Sequence, residues 1–122
     1  MRSAIFTEFG EVPVTKFSAT SKLAVEEPGA VVLMSKSMAA EFAADNVRVN
    51  CVNPVFSPDT GLSAEFAGGS LSDEAKKRFL STIPLGRFST PLDVANACLY
   101  LASDEAAMVS GVCVEVDGAR CV

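Results

Sequence analysis

The sequence predicts an α/β fold, built on part of a doubly wound parallel sheet. Three observations carry this expectation. Apolar residues recur at helical spacing in two long segments, and in two short segments they alternate with polar ones. From residue 30 onward these segments run helix, strand, loop, helix, helix, strand. Strands separated by helical crossovers pair in parallel, ordinarily as a right-handed unit. The 122 residues are the length of one domain.

The elements follow in order. Residues 2–8 read as a short strand, and Gly10-Glu11-Val12-Pro13 as a turn. Residues 14–29 carry no clear period and end in the break Glu26-Glu27-Pro28-Gly29. The next segment is a helix: Val31, Met34, Met38 and Phe42 share one face, and Ala39, Ala40, Ala43 and Ala44 favour helix and allow close approach of a neighbour. Asp45-Asn46 ends it. Val47, Val49 and Cys51 then alternate with Arg48 and Asn50, which predicts a strand over 47–53 stopped by Pro54. Residues 54–70 are loop-like, with Pro54, Pro58, Gly61, Gly68 and Gly69. Ser72 caps a short helix with Asp73 and Glu74 in its first turn and Lys76, Lys77 and Arg78 near its end, closed by Pro84. Thr90 caps the second long helix, with Pro91 at the first position and Asp93 completing a capping box. Val94, Ala97, Cys98 and Leu101 form its buried stripe. Val112, Val114 and Val116 alternate with Cys113 and Glu115 in a last strand, and Asp117-Gly118 is a turn.

Composition narrows the function classes. With 49% apolar and 20% charged residues the chain is neither disordered, collagenous nor a coiled coil. Ten Lys and Arg against 15 Asp and Glu give a net charge of −5, which argues against nucleic acid or an anionic membrane as partner. Uncharged apolar stretches run to about ten residues, too short to span a bilayer. The N-terminus lacks the apolar block of a secretory signal, so a cytoplasmic location is expected. There is no His and no Trp, and Tyr100 is the one tyrosine. Without His there is no Ser-His-Asp triad and no His-ligated metal. The four cysteines form no C-x-x-C, and Cys51, Cys98 and Cys113 sit in apolar runs as small hydrophobes, so no metal site is expected. Neither G-x-G-x-x-G nor G-x-x-x-x-G-K-[ST] occurs. In an open parallel sheet the functional crevice lies beyond the carboxyl ends of the strands, which places the candidate site at Asn53-Pro54 and the loop that follows.

Six ordered blocks carry a resemblance: Met34–Glu41, Val47–Pro54, Pro84–Phe88, Pro91–Ala95, Tyr100–Glu105 and Val116–Gly118. Together they resemble the C-terminal half of a short-chain dehydrogenase/reductase. The resemblance implies a partial Rossmann-like sheet, NAD or NADP as cofactor, a small carbonyl or alcohol as substrate, and a homo-oligomer or pairing with a complete homologue. It divides the chain into an atypical segment, 1–29, and a half-domain, 30–122. In the family, a Pro-Gly pair and a following Thr hold the nicotinamide end of the cofactor. Here Pro54 matches the Pro, Val55 stands for the Gly, and Thr60 is the Thr, shifted by one through Ser57-Pro58. Backbone groups near Val55 and Ser57 are placed to reach a carboxamide.

The family's catalytic Tyr-x-x-x-Lys departs from its pattern here. Read without gaps, its positions fall on Ala24 and Pro28. With a gap, Ser18-Ala19-Thr20-Ser21-Lys22 takes its place, with Lys22 as the lysine and Ser18 where Tyr belongs. Tyr100 does not stand in, because the resemblance puts it on the second long helix at a usually apolar position and so implies a packing residue. Residues 1–10 are similar instead to the first strand of medium-chain alcohol dehydrogenases and quinone reductases, which suggests that the start was joined from another source or by a shifted reading frame. The reading that follows is an NAD(P)-dependent oxidoreductase by resemblance, truncated or rearranged, without a complete active site. Two alternatives stand beside it: a non-catalytic association module, and a minimal enzyme working through Lys22 or a cysteine.

Overall fold

The structure is a computed structural model and describes residues 2–7, 28–58, 60 and 71–122. Three parallel strands form one sheet in the order β1 (Arg2–Thr7), β2 (Val47–Pro54), β3 (Cys113–Val116). Helix α1 (Pro28–Glu41) links β1 to β2; α2 (Asp73–Leu80) and α3 (Pro91–Ala102) lie between β2 and β3. Arg2 pairs with Val47 and Thr7 with Val52, so β1 covers one edge of β2. Cys51 pairs with Cys113 and Pro54 with Val116 on the other edge. The turn expected at residues 10–13 and the candidate Lys22 lie outside the described residues.

Local chemistry ends each helix as the sequence predicts. After α1 a single 3-10 turn runs to Asn46, whose left-handed φ of 57° returns the chain into β2. Ser72 accepts the Ala75 amide at the start of α2. The capping box of α3 is complete: Thr90 Oγ1 accepts from the Asp93 amide at 3.2 Å, and the Thr90 amide donates to Asp93 Oδ2 at 2.8 Å.

Tertiary packing changes three expectations. First, the best-buried positions of α1 are Ser35 and Ala39, with Val31, Met34, Met38 and Phe42 flanking them half-buried. Small residues bring the helix close to the sheet connection, where a Cβ on Gly111 would stand 3.4 Å from Ala39 Cβ. Second, Arg48 and Asn50 of β2 are buried as deeply as its apolar residues. Arg48 donates to the carbonyls of Val109 (3.1 Å) and Ser103 (3.2 Å), and Asn50 donates to Val109 (3.0 Å) while accepting the Val112 amide (3.2 Å). The segment after α3 supplies backbone partners for a polar strand face that would otherwise need water. Third, Tyr100 is 47% exposed rather than packed, because the stripe that meets the sheet is Cys98 and Leu101.

The core on this α3 face is Val52, Cys98 and Leu101, flanked by Val94, Ala97, Val109, Val114 and Val116. Val49 and Cys51 point the other way, to the face covered by α1. Both steps across the sheet go in the same direction while α1 and α3 lie on opposite faces. The two crossovers therefore have opposite hands, and only one follows the right-handed rule.

Candidate functional site

The carboxyl end of β2 is built by backbone and hydroxyl pairing rather than by a charged cluster. The Val55 amide donates to the Val116 carbonyl at 3.1 Å and extends the ladder one residue past Pro54. The Val55 carbonyl accepts Ser89 Oγ at 2.9 Å, and Ser57 Oγ donates to the Ser89 carbonyl at 2.7 Å. Ser57 and Ser89 are both buried, so the two hydroxyls pin the outgoing loop against the connector before α3. Thr60 Oγ1 donates to the Ser57 carbonyl at 3.1 Å. Pro54, Val55, Ser57 and Thr60 thus stand together on one short stretch whose shape is set by Ser89.

Three phenylalanines brace that stretch. The Phe56 ring lies 5.2 Å from Phe79 and 6.0 Å from Phe88, and Phe79 lies 6.1 Å from Phe88, centroid to centroid. Offset and tilted rings at these separations attract. Beside them the chain returns after β3 in a tight turn. The buried Asp117 carboxylate accepts the Ala119 amide at 2.9 Å and the Cys121 amide at 2.8 Å. Burial pushes the Asp117 carboxyl up, but those amides outweigh it and hold it below its ordinary value.

A cavity of about 330 Å³ opens between the connector and the end of β3, with Val55, Arg87, Ser89, Asp93, Glu115 and Asp117 in its walls. Of the predicted site positions only Val55 lines it, among the described residues. Its charged side chains are already partnered: Glu115 accepts from Asn53, and Asp117 from the amides of its turn. Arg87 holds Asp93 with two bonds, at 2.7 and 2.9 Å, and this guanidinium, with the Thr90 amide and hydroxyl, holds the Asp93 carboxyl well below the usual carboxylate range. Among the described residues no three His, Cys, Asp or Glu side chains come together to hold a metal. Cys51 and Cys113 face each other across β2 and β3 as free thiols, and burial, then the Cys51 thiol, pushes Cys113 far up. A thiol pushed up in this way, as Cys113 is, stays protonated and is a poor nucleophile.

This architecture has known relatives. The family model described as enoyl-(acyl carrier protein) reductase matches residues 14–119. The chain belongs to the short-chain dehydrogenase/reductase family. The 4-formylbenzenesulfonate dehydrogenase of Comamonas testosteroni is 47% identical over 91 residues, 75% of this chain and 36% of that protein. The 2-(S)-hydroxypropyl-CoM dehydrogenase 3 of Xanthobacter autotrophicus is 42% identical over 90 residues, 74% of this chain and 35% of that protein. Among solved structures, the 3-ketoacyl-(acyl-carrier-protein) reductase of Brucella melitensis complexed with NADH superposes with a TM-score of 0.68 at 32% identity, over 86% of this chain and 39% of that one. The chain therefore spans about a third of the length of the curated relatives it matches.

In this short-chain dehydrogenase/reductase chain, several residues that shape the candidate site carry no local sequence signal. Ser89 acts on Val55 from 34 residues away, and Arg120 acts on Thr82 from 38. The block Pro84–Phe88 marked the connector but not the hydroxyl beside it. The phenylalanine trio comes from three separate segments, and only their shared aromaticity hints at a cluster.

Proposed function

We propose that this chain supplies the part of an NAD(P)-dependent oxidoreductase that meets the nicotinamide end of the cofactor, through Pro54, Val55, Ser57 and Thr60. The observation that carries the reading is the preset loop at the carboxyl end of β2, held by the Ser57–Ser89–Val55 bonds. The described residues fit one end of the cofactor. Their backbone is fixed in place, but the Val55 amide is already spent on Val116 and the Val55 side chain is buried where the family has glycine. When bound, the cofactor supplies the hydride chemistry. The chain's own residues position one end of it and exclude water beside Val55 and Val116.

Lys22 is the candidate lysine of the catalytic pair, and the family match reaches back to residue 14 and so takes it in. In solution a lysine beside the reacting oxygen lowers a neighbouring hydroxyl's pKa and holds a ribose by hydrogen bonds. With Ser18 where a tyrosine belongs and no glycine-rich phosphate turn in the sequence, the chain by itself does not complete an active site. A small carbonyl or alcohol is the substrate class of the completed site, and the cytoplasm its location. Residues 30–122 act as the family half-domain. Residues 1–29 stand apart from that pattern, and the likeness of the first ten to medium-chain enzymes rests on sequence alone.

The test is a melt of the purified chain with and without millimolar NADH or NADPH, beside a turnover assay with carbonyl substrates. Ligand that binds only the folded state raises the midpoint. We expect a rise with one cofactor and no steady turnover. No rise with either cofactor refutes the loop assignment, and steady turnover refutes the incomplete site.

A second reading, a non-catalytic association module, is favoured by the outward side of α3. Leu92 and Leu99 are 68% and 69% exposed, and exposed Ala95 lies between them at helical spacing. This stripe suits a second copy of the chain or a complete homologue. Light scattering decides it: Leu92→Glu with Leu99→Glu is expected to convert an oligomer to monomer, and a wild-type monomer refutes it.

A further inference from the structure

We infer that the turn after β3, residues 117–120, is a latch that sets the position of the loop leaving β2, with Arg120 as its positioning residue. The turn is held in a costly shape. Gly118 and Ala119 have φ of 65° and 70°, and alanine adopts the left-handed region only where its surroundings over-determine it. Those surroundings are present. Asp117 accepts the amides of Ala119 and Cys121, and the Leu85 amide donates to the Gly118 carbonyl at 3.2 Å. The turn also rests directly on buried Ile83, since a Cβ at residue 118 would stand 2.6 Å from Ile83 Cγ2.

Arg120 extends the latch from this turn to the loop. Its Nε donates to Thr82 Oγ1 at 2.9 Å, and the same hydroxyl donates to the Phe79 carbonyl at 2.7 Å, so both capacities of Thr82 are used. Its guanidinium carbon lies 4.7 Å from the centroid of the Phe79 ring, a cation–π contact. Phe79 meets Phe56 at 5.2 Å, and Phe56 stands between Val55 and Ser57, both buried. A continuous line of contacts thus runs from an exposed cation near the end of the chain to the backbone of the candidate cofactor loop. Arg120 adds nothing to the core, so its contribution is to fix the end of α2 and, through Phe79, Phe56. The consequence for cofactor binding rests on the reading of that loop given above; the mechanical coupling does not.

Amide hydrogen exchange on the intact chain tests the latch, with Arg120→Leu, Arg120→Lys and Ala119→Gly. Arg120→Leu keeps an apolar stem over the ring but loses the charge and the donor. Exchange at residues 79–83 and 55–57 is expected to quicken about tenfold, the combined worth of one exposed cation–π contact and one hydrogen bond. Residues 49–52 and 94–101 are expected to keep their rates. Arg120→Lys recovers part of the protection, and Ala119→Gly, which relieves the strained φ and keeps every contact, slows exchange below wild type. Quickening at 79–83 without 55–57 overturns the latch, as does uniform quickening of the whole chain. An NADH titration of the same set separates the two readings. Affinity that falls in the order of the exchange rates supports both. A wild type that binds neither NADH nor, in a parallel titration, NADPH refutes the cofactor assignment alone, and the exchange pattern still decides the latch.

Discussion

On the face of the sheet that carries α3, Val52, Cys98 and Leu101 meet as apolar side chains, and beside them Arg48 and Asn50 run their polar ends into the carbonyls of Ser103 and Val109. On the face that carries α1, the closest contacts are made by small groups, Ser35 and Ala39, with Gly111 admitted where any side chain would press on the helix. The first face is filled by volume and tied by long-range hydrogen bonds. The second is closed by letting backbones approach. The first should therefore suffer most from lost volume or a lost partner, the second from added volume.

The largest effect is expected on the α3 face. Leu101 is fully buried, and Leu101→Ala should cost about 2–5 kcal/mol in denaturant unfolding, the transfer term plus a cavity. Asn50→Leu comes next at about 1–3 kcal/mol, because the Val112 amide loses its partner inside the protein and the Val109 carbonyl keeps only Arg48. If either variant melts like wild type, that face is not the one holding the sheet together.

The α1 face answers to the opposite change. Gly111 has φ of 77° and its missing Cβ would meet Ala39 at 3.4 Å, so Gly111→Ala is expected to cost about 1–2 kcal/mol. Reducing Ala39→Gly in the same background should not restore stability fully, since the strained φ remains. Full recovery would show that contact with the helix, not backbone conformation, demands glycine.

The smallest effect concerns the exposed end of α3, where the two faces no longer matter. Removing the cap with Thr90→Ala should cost about 1 kcal/mol. The Asp93 carboxyl titrates lower in the folded chain than in the unfolded chain, first through Arg87 and then through Thr90. Its contribution is present above the unfolded value of about 3.9 and is lost as pH falls toward the folded value. A modest drop in midpoint below about pH 4 is expected, and Asp93→Asn should abolish that part of the pH dependence. Arg87 is 60% exposed, so salt should weaken the effect as well.

Much of the fold was legible because the information is local. Ser72, Thr90, Asp93 and Asn46 each act within four residues of their own position, through rules of helix ends that any sequence shows. The stripe of α3 was readable for the same reason, since Cys98 and Leu101 lie on one face at helical spacing. Tyr100, between them in sequence but on the outward side of the helix, was misjudged because size and apolarity do not say which way a residue points. The candidate loop was placed by topology and by resemblance, at the carboxyl end of β2. Lys22 lies outside the described residues, so its role rests on sequence. Ser89, Phe56, Phe79, Phe88 and Arg120 were not legible, because each matters only through partners far along the chain.

The sequence by itself determined which segments from residue 30 onward are helix and which are strand, that the sheet is parallel, and to which family the pattern belongs. Those properties depend on residue type, short-range hydrogen bonds and hydrophobic period, all written within a few positions. Only the tertiary structure decided that β1 covers the edge of β2, that Arg48 and Asn50 are buried with backbone partners, and that the turn after β3 reaches the loop after β2. A buried polar group is stable only beside its partner, and partners tens of residues apart meet only once the chain has folded.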